Sequence, residues 1–249
     1  MNFSVIIPAR YASSRLPAKL LKDIYGKPLI QLTYENAVKS SATQVVIATD
    51  DERIKQVAED FGATVCMTAA GHTSGTSRIA EVLTKLNIDD NEIVVNVQGD
   101  EPMLDPQVIN QVASNLDKSN MQMATLCEPV ASKAQYLDPN CVKVVFDKLG
   151  KALYFSRAAI PFFRDEQDFD LSLCYKHIGI YAYRAKFIKK YLDMASSRFE
   201  QVEKLEQLTV LNEGFDIHVE NACGDTGFGV DTQEDLNKVR DALAPHNNG

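Results

Sequence analysis

Short apolar runs alternate with helical patterns along the first half of the chain. The runs typical of buried strands are residues 3–7, 44–48, 64–67 and 93–97. Helices are predicted between and after them: one begins near Lys27, one follows Asp50, one carries Ile79 and Val82 on its apolar face, and one is capped by Asp105. The alternation of strand and helix is typical of a parallel sheet covered by helices, so an α/β fold is predicted.

The second half has a mixed pattern. Residues 142–146 and 152–155 read as two strands of a hairpin, with Gly150 in the turn between them. A last helix is predicted from about Glu234 to Leu243. Since no Gly/Ser linker or repeat divides the chain, residues 1–249 are predicted to form one domain, with a sub-lobe or arm within about 121–218.

Composition and charge exclude several classes of protein. The 249 residues are 45% hydrophobic and 24% charged, as in ordinary globular domains, and the formal net charge is −8. An acidic chain is a poor general binder of nucleic acid or anionic membrane. No apolar run is long enough to insert in a bilayer, and Met1 leads into a strand without a signal pattern, so a cytoplasmic location is expected.

A basic loop directly follows the first predicted strand. It contains Arg10, Arg15 and Lys19 together with Ser13 and Ser14. In open α/β sheets ligands bind beyond the carboxyl ends of the strands, and clustered Arg and Lys suit a polyphosphate. A solvated surface loop is the alternative, but it fits isolated charges better than this cluster. Neither a P-loop nor a dinucleotide fingerprint occurs in the sequence.

Two acidic segments are candidates for a metal site. Asp100 follows an apolar strand in NVQGDEP, where Gly99 permits close approach of the backbone, and Asp231 lies in GVDT. Mg²⁺ binds one or two carboxylates together with substrate phosphates. Turn formation or helix capping explains each aspartate equally well, so the spacing leaves both interpretations open.

A polar loop at residues 72–78, HTSGTSR, opens the third predicted helix. Its backbone groups and hydroxyls can surround a nucleoside, or Thr76 or Ser77 can simply cap the helix, and the two roles are compatible. The histidines have no metal-ligand spacing, and no arrangement for nucleophilic hydrolysis is present in the sequence.

Eight segments follow one another along the chain: IPARYASSRLPAKLL, IATDDERI, HTSGTSR, NVQGDEP, VKVVFDKLGKALYFSRAAIPFFRD, HIGIYAYR, EKLEQL and GVDTQEDL. Together they resemble the 3-deoxy-D-manno-octulosonate (Kdo) cytidylyltransferases, or CMP-Kdo synthetases, over nearly the whole chain. The resemblance implies a mixed, mostly parallel nucleotide-binding sheet flanked by helices, like that of nucleotide-diphospho-sugar transferases, with a dimerisation arm. It also implies a homodimer that transfers CMP from CTP to the anomeric hydroxyl of Kdo, releasing pyrophosphate, for lipopolysaccharide biosynthesis.

The resemblance further implies roles for individual residues. Those expected at the nucleotide are Arg10, Ser13, Arg15, Lys19, Ser74, Gly75 and Arg78. Those expected at the sugar are Gln98, Arg157, His177, Glu206 and Gln207, with Arg157 meeting the carboxylate. Asp100 and Asp231 are expected to hold Mg²⁺, which lowers the pKa of the attacking hydroxyl, and a second Mg²⁺ is carried by CTP. Lys19, Arg10 and the two aspartates are the expected catalytic residues.

Two departures from the family pattern bear on these expectations. Ser77 stands where an acidic residue is usual, although a hydroxyl can still cap and accept a hydrogen bond. Ala18 precedes Lys19 where Gly is usual, so the backbone there is expected to avoid a conformation reserved for glycine. The competing hypotheses are a cytidylyltransferase for another acidic sugar, such as 8-amino-Kdo or sialic acid, and a non-catalytic nucleotide-binding regulator.

Overall fold

The structure is a computed structural model that describes residues 1–13, 15–72 and 74–244. Elements of the first half are β1 (Phe3–Ala9), β2 (Asp23–Ile24), β3 (Lys27–Pro28), α1 (Leu29–Val38), β4 (Gln44–Thr49), α2 (Glu52–Asp60), β5 (Thr64–Met67), α3 (Gly75–Lys85), β6 (Ile93–Asn96) and α4 (Pro106–Lys118). Those of the second half are β7 (Met123–Pro129), α5 (Lys133–Leu137), β8 (Lys143–Phe146), β9 (Ala152–Ser156), β10 (Tyr175–Arg184), α6 (Ala185–Leu192), α7 (Arg198–Glu203), α8 (Gln207–Asn212), β11 (Ile217–Asn221) and α9 (Gln233–Ala242).

The central sheet has the strand order β11-β7-β10-β6-β1-β4-β5, with β8 attached to β10 and β9 to β8. β1 lies between two parallel neighbours, since Val5 pairs with Val45 of β4 and with Val95 of β6. The chain therefore runs outward from β1 to β4 and β5 and returns to β6 on the other side of β1. The carboxyl ends of β1 and β6 flank this reversal, which is where open α/β sheets bind ligands.

Antiparallel pairing is concentrated in the second half. β10 runs antiparallel to β6, β7 and β8, whereas β11 is parallel to β7. The predicted mixed sheet is confirmed, and so is the hairpin: β8 pairs antiparallel with β9, and Gly150 lies between them at φ 76°. Because β8 and β9 extend the same sheet, this arm is continuous with the fold that carries it.

Both faces of the sheet are buried, which explains the continuous apolar run of β1. Val5 and Ile7 lie in one core layer, with α1, α2, α4 and α9, while Ile6 lies in the other, with α3, α6 and α8. Strands covered on both faces need apolar residues at every position rather than at alternate ones. No helix in the described part of the chain is long and apolar enough to traverse a bilayer.

Candidate active site

A cleft of about 410 Å³ opens at the carboxyl ends of β1 and β6. Its walls are formed by the loop after β1, the loop after β6, the start of α3 and the segment before α9. Predicted residues that line it are Arg10, Ser13, Arg15, Lys19, Ser74, Gly75, Gln98, Asp100, Glu206 and Asp231. Ser14 and Thr73, from the same two loops, lie outside the described residues. The fold thus brings most of the predicted nucleotide set to one place.

Lys19 lies on the floor of the cleft between two carboxylates. Its Nζ donates to Asp100 Oδ2 at 2.5 Å and to Asp231 Oδ1 at 3.0 Å, and only 11% of its side chain is exposed. Burial lowers the pKa of Lys19, but the charges and hydrogen bonds of Asp100 and Asp231 outweigh that effect and raise the pKa above 10.5. Lys19 is therefore an ammonium at neutral pH.

The two aspartates lie close together because a backbone hydrogen bond links the segments that carry them. Val230 N donates to Asp100 O at 2.9 Å, which holds the segment before α9 against the loop after β6. The absence of a side chain at Gly99 lets the loop after β6 pack closely against the end of β1. A Cβ at Gly99 would lie 3.0 Å from Pro8 O and 3.2 Å from Ile30 Cδ1. The predicted close backbone approach at Gly99 is confirmed.

Neither aspartate caps a helix. Thr232 is the N-cap of α9, where its Oγ1 accepts from Asp235 N at 3.2 Å, and Asp105 is the N-cap of α4, as predicted. The capping interpretation of Asp100 and Asp231 is therefore wrong. The Asp231 carboxylate instead accepts from Lys19 and forms an ion pair with Arg15 Nη2 at 3.0 Å.

Ala18 adopts a left-handed conformation, with φ 52° and ψ 35°. The prediction that the backbone before Lys19 avoids a glycine-favoured conformation is wrong. The turn begins a short 3₁₀ segment, Lys19–Leu21, in which Leu21 N donates to Ala18 O at 3.0 Å. An alanine in this region costs about 1 kcal/mol, so the local strain accompanies the placement of Lys19 in the cleft.

The start of α3 is stabilised by a capping box. Ser74 Oγ accepts from Ser77 N at 3.1 Å, and Ser77 Oγ accepts from Ser74 N at 3.4 Å. The N-cap is therefore Ser74, and the assignment of the cap to Thr76 or Ser77 is wrong. The Ser77 hydroxyl accepts the hydrogen bond that an acidic side chain at this position would accept, which confirms that it can substitute locally.

Arg78 is turned away from the cleft, although the resemblance implied a nucleotide contact. Its side chain is 1% exposed, and Nη1 contacts Thr68 Oγ1 at 2.5 Å and Asp50 Oδ1 at 3.1 Å. A buried guanidinium needs such partners, since an unpaired buried charge is costly. Arg78 thus links α3 to the residues that follow β4 and β5. It does not line the cleft with the other residues predicted at the nucleotide.

A second cavity, of about 280 Å³, adjoins the cleft and shares Gly75, Gln98 and Glu206 with it. It is lined by four of the five residues predicted at the sugar: Gln98, His177, Glu206 and Gln207. Gln207 is buried, and its Nε2 has no hydrogen-bond partner among the described residues. Such a donor is available to a ligand that carries hydroxyl groups.

A β-bulge in β10 places His177 at the cavity. The register of β10 against β7 shifts between Ile178 and Tyr181, and Thr125 Oγ1 contacts the Ile180 carbonyl at 2.7 Å and His177 Nε2 at 2.9 Å. Burial lowers the pKa of His177 to about 3, so the ring is neutral at pH 7. His177 is thus available for hydrogen bonding and carries no charge.

Arg157 does not line the cavity. Its Nε donates to Glu203 O at 2.6 Å and its Nη1 to Pro139 O at 3.0 Å. These two carbonyls hold the guanidinium between α7 and the loop after α5. The structure therefore separates Arg157 from the other four residues predicted at the sugar.

Comparisons with known proteins point to one family. A family model described as cytidylyltransferase matches residues 4–217. A protein of Ruthia magnifica subsp. Calyptogena magnifica, named 3-deoxy-manno-octulosonate cytidylyltransferase, is 74% identical over 98% of this chain and 100% of its own length. The Haemophilus influenzae (strain Rd) protein of that name is 54% identical over 98% of this chain and 99% of its own.

The chain belongs to the cytidylyltransferase family.

Solved structures of cytidylyltransferases share this fold. The structure of CMP:2-keto-3-deoxy-manno-octonic acid synthetase complexed with CTP is 43% identical, with a TM-score of 0.90, and the match covers 97% of this chain and 98% of that one. The 4-diphosphocytidyl-2C-methyl-D-erythritol synthase of Anaerococcus prevotii is 15% identical, with a TM-score of 0.65 over 98% and 99% of the two chains. The second match extends the likeness in fold beyond close relatives.

The sequence patterns did not predict several of the residues that line the second cavity of this cytidylyltransferase. The second cavity is also lined by Asn96, Tyr181, Tyr183, Tyr191 and Lys204. The segment HIGIYAYR contains a signal for two of them, because alternation along a strand puts Tyr181 and Tyr183 on one face. Burial raises the pKa of both phenols well above 10, so they are neutral hydrogen-bonding groups.

The arrangement suits a polyanion beside a polar ligand. The cleft contributes Arg10, Arg15 and Lys19, and the cavity contributes amides, phenols and a neutral imidazole. In the described residues, no cluster of three or more His, Cys, Asp or Glu is arranged to hold a metal. The carboxylates of Asp100 and Asp231 form a pair, and a metal held by them needs further ligands from a substrate or water.

Proposed function

We propose that the protein transfers CMP from CTP to the anomeric hydroxyl of Kdo, giving CMP-Kdo and pyrophosphate, in a reaction that depends on Mg²⁺. The observation that carries the proposal is the junction of the two sites: the basic cleft opens into the polar cavity through Gln98 and Glu206, which line both. A nucleotide in the cleft and a sugar in the cavity are thereby brought next to each other. The names of the relatives support the same pair of substrates.

The cleft side binds and activates the nucleotide. Arg10 and Arg15 supply forked donors and Lys19 a point charge, a combination that matches phosphate oxygens. Because Lys19 is protonated and lines the cleft, its ammonium is available to stabilise negative charge on the departing pyrophosphate. The oxygens of two carboxylates keep this cation in place until the phosphates arrive.

Asp100 and Asp231 fit a magnesium site. Their oxygens lie within 3.0 Å of one nitrogen, Lys19 Nζ, so both carboxylates reach a single cation position. Lys19 would leave this position for the phosphates when the metal binds. Mg²⁺ takes one or two carboxylates and completes its shell with phosphate oxygens and water, and this donor set matches the pair. When bound, the metal lowers the pKa of the sugar hydroxyl and supplies positive charge at the reacting phosphate.

The cavity side orients the sugar. Its volume of about 280 Å³ lies near the lower end of ligand cavities and suits a monosaccharide. The amides of Gln98 and Gln207 and the ring of His177 provide donors and acceptors for hydroxyl groups. Thr76 Oγ1 donates to Glu206 Oε2 at 3.0 Å, which fixes the carboxylate that faces both sites.

The test supplies CTP and Mg²⁺ with one sugar at a time: Kdo, 8-amino-Kdo or sialic acid. Products are identified by mass spectrometry, and chelation by EDTA tests the metal. CMP-Kdo formed only without EDTA is the expected result. Formation of a different CMP-sugar alone would replace the substrate, whereas no product with any sugar would favour a nucleotide-binding regulator.

The protein is further proposed to act as a cytoplasmic homodimer in lipopolysaccharide biosynthesis. Support for the dimer comes from apolar side chains exposed on the arm and on α7, where Leu153 is 59%, Phe199 54% and Val202 81% exposed. Tyr154 and Phe199 pack edge to face, so β9 and α7 form one surface. Sedimentation velocity should give a dimer for the wild type and a monomer for Val202→Glu.

A further inference from the structure

The basic loop, residues 10–18, has little regular structure of its own. Its described residues, 10–13 and 15–18, belong to no helix or strand. Those that line the cleft are Arg10, Ala12, Ser13 and Arg15. A loop without the hydrogen-bond ladder of a sheet has to be held by side chains, because the entropy of ordering it otherwise opposes ligand binding. Tyr11 does not line the cleft, so its side chain is free to hold the loop from elsewhere.

The ring of Tyr11 contacts both the core and an arginine. It is partly buried and packs against the core layer that contains Ile54 and Ala58 of α2. The guanidinium of Arg53, near the start of the same helix, lies over the ring, with Cζ 3.3 Å from the ring centroid. Such a stack combines cation–π attraction with close contact between two planar groups. Tyr11 therefore joins the basic loop to α2.

The guanidinium of Arg53 is fixed by Asp51. Arg53 Nε donates to Asp51 Oδ1 at 2.9 Å and Nη2 donates to Asp51 Oδ2 at 2.6 Å, so the pair is bidentate. Asp51 is also the N-cap of α2, and its backbone N donates to Thr49 Oγ1 at the end of β4 at 3.2 Å. The side chain of Asp51 is 17% exposed and that of Arg53 is 61% exposed. A mostly buried carboxylate thus orients the more exposed group that covers the ring.

Arg53 does not line the cleft, so it acts on a ligand there only through the loop. Arg10 and Arg15 reach phosphates in the cleft when the basic loop has the conformation seen in the structure. If only part of the protein has that conformation, the apparent affinity for the ligand falls in proportion to that part. Contacts that favour the conformation, such as the stack on Tyr11, therefore raise the affinity without touching the ligand.

We infer that Arg53 is a positioning residue for nucleotide binding: by stacking on Tyr11, it holds the basic loop in the conformation that binds the triphosphate. The inference rests on the proposed function, because it requires a nucleoside triphosphate in the cleft. It assigns a role in substrate binding to an arginine of α2 that lies outside the cleft.

Single variants remove one partner of the stack at a time. Arg53→Met removes the charge and the planar group, and Tyr11→Leu removes the ring. Each should raise the KM for CTP about fivefold, the usual effect of losing one cation–π contact, and keep kcat within about twofold. Tyr11→Phe keeps the ring and should behave as wild type. Lys55→Met is the control and should change neither value, because Lys55 pairs with Glu52 on the same helix and does not line the cleft.

The double variant Arg53→Met/Tyr11→Leu tests whether the two residues act together. Because both single changes break the same stack, the double variant should raise the KM for CTP about fivefold, no more than either change alone. Independent effects multiply, so a rise of about twenty-fivefold would overturn the inference. A purely structural role of Arg53 predicts a different pattern, since loss of folded protein lowers kcat and leaves the KM unchanged; that pattern would overturn the inference too.

Direct binding separates this inference from the proposed function. Calorimetric titration with CTP and Mg²⁺, without sugar, should show a loss of affinity of about fivefold in Arg53→Met. Unchanged affinity and KM for CTP in Arg53→Met, with wild type making CMP-Kdo, would overturn the role of Arg53 and leave the proposed function intact. A wild type that neither binds CTP nor makes CMP-Kdo would overturn both proposals.

Discussion

The nucleotide cleft and the sugar cavity are built from different parts of the fold. The cleft takes its side chains from loops that follow the parallel strands β1 and β6 and from the segment joined to them through Val230. The cavity takes many of its side chains from the antiparallel strand β10 and from α6 and α8, although Asn96 and Gln98 also line it. Parallel strands deliver their carboxyl ends to one edge, so cleft residues are found at strand ends, whereas cavity residues depend on how distant elements pack.

The two sites also differ in charge. The cleft contains Arg10, Arg15 and Lys19 facing two carboxylates, while most of the cavity lining is neutral, including the imidazole of His177. Charged groups fixed around reacting phosphates act mainly on the transition state, and neutral groups around a bound sugar act mainly on binding. Cleft variants should therefore change kcat, and cavity variants should change the KM for the sugar.

The largest effect is expected for Asp100→Asn, on the floor of the cleft. Losing one carboxylate from the pair should lower kcat about a thousandfold, because a metal and the charge it supplies contribute several kcal/mol to the transition state. The KM for Kdo should change little. Steady-state kinetics checks both values, with Asp105→Asn as the control, since asparagine caps α4 as well as aspartate does. Undiminished kcat in Asp100→Asn would contradict the metal assignment.

Lys19→Met should lower kcat about a hundredfold, the usual effect of removing one preorganised donor to developing charge. Lys22 is the control, because it lies three residues away and does not line the cleft. Lys22→Met should keep kcat within about twofold. If Lys19→Met instead raised only the KM for Kdo, the assignment of catalysis to the cleft and of sugar binding to the cavity would be wrong.

A smaller effect on stability is expected at the loop that precedes α3. Glu81 accepts from Lys85 Nζ at 2.8 Å, His72 Nε2 at 2.5 Å and Ala69 N at 2.9 Å, and these contacts lower the pKa of Glu81 to about 2. Because the pKa is 4.5 when unfolded, this stabilisation is fully present above pH 4.5 and is lost as the pH falls toward 2.

Glu81→Gln should therefore lower the free energy of unfolding by about 1 to 2 kcal/mol at pH 7, a value reduced for solvent screening near the surface. The difference from wild type should shrink as the pH falls below 4.5. Urea unfolding at several pH values measures it, and Glu59→Gln, an exposed residue on α2, should differ little from wild type at any of them. A difference that grows on acidification would contradict the assignment.

The smallest effect is expected for Ala18→Gly. Relief of the left-handed strain should raise the free energy of unfolding by up to about 1 kcal/mol, with kcat retained. Thermal or urea unfolding checks it. Ala131 is a matched control: it is exposed and has no positive φ, so Ala131→Gly should be destabilising by about 0.5 to 1 kcal/mol. Equal effects of the two glycines would contradict the strain at Ala18.

Much of the cleft was predictable because its signals are local. Arg10, Lys19 and Asp100 follow strands whose apolar patterns are clear, and a parallel sheet brings strand ends together. The directions of Arg78 and Arg157 were not predictable, since each guanidinium found partners among residues far away in the sequence. A sequence pattern places a residue on an element but does not say which way a long side chain turns.

The cavity was harder for the same reason. Alternation along β10 marks Tyr181 and Tyr183, but Tyr191 and Lys204 reach the cavity only through the packing of α6 and the left-handed end of α7. The strain at Ala18 was not predicted, because an alanine in place of the usual glycine was taken to indicate an ordinary backbone conformation. Tertiary contacts hold an alanine in a conformation that its own preferences disfavour.

Pyrophosphate release by the wild-type protein tests the central claim most directly. Reactions contain CTP, Mg²⁺ and Kdo together, and each component is left out in turn. Release that requires all three is the predicted result, because cleft, metal pair and cavity act on one complex. Release without Kdo, or no release with all three present, would contradict the account.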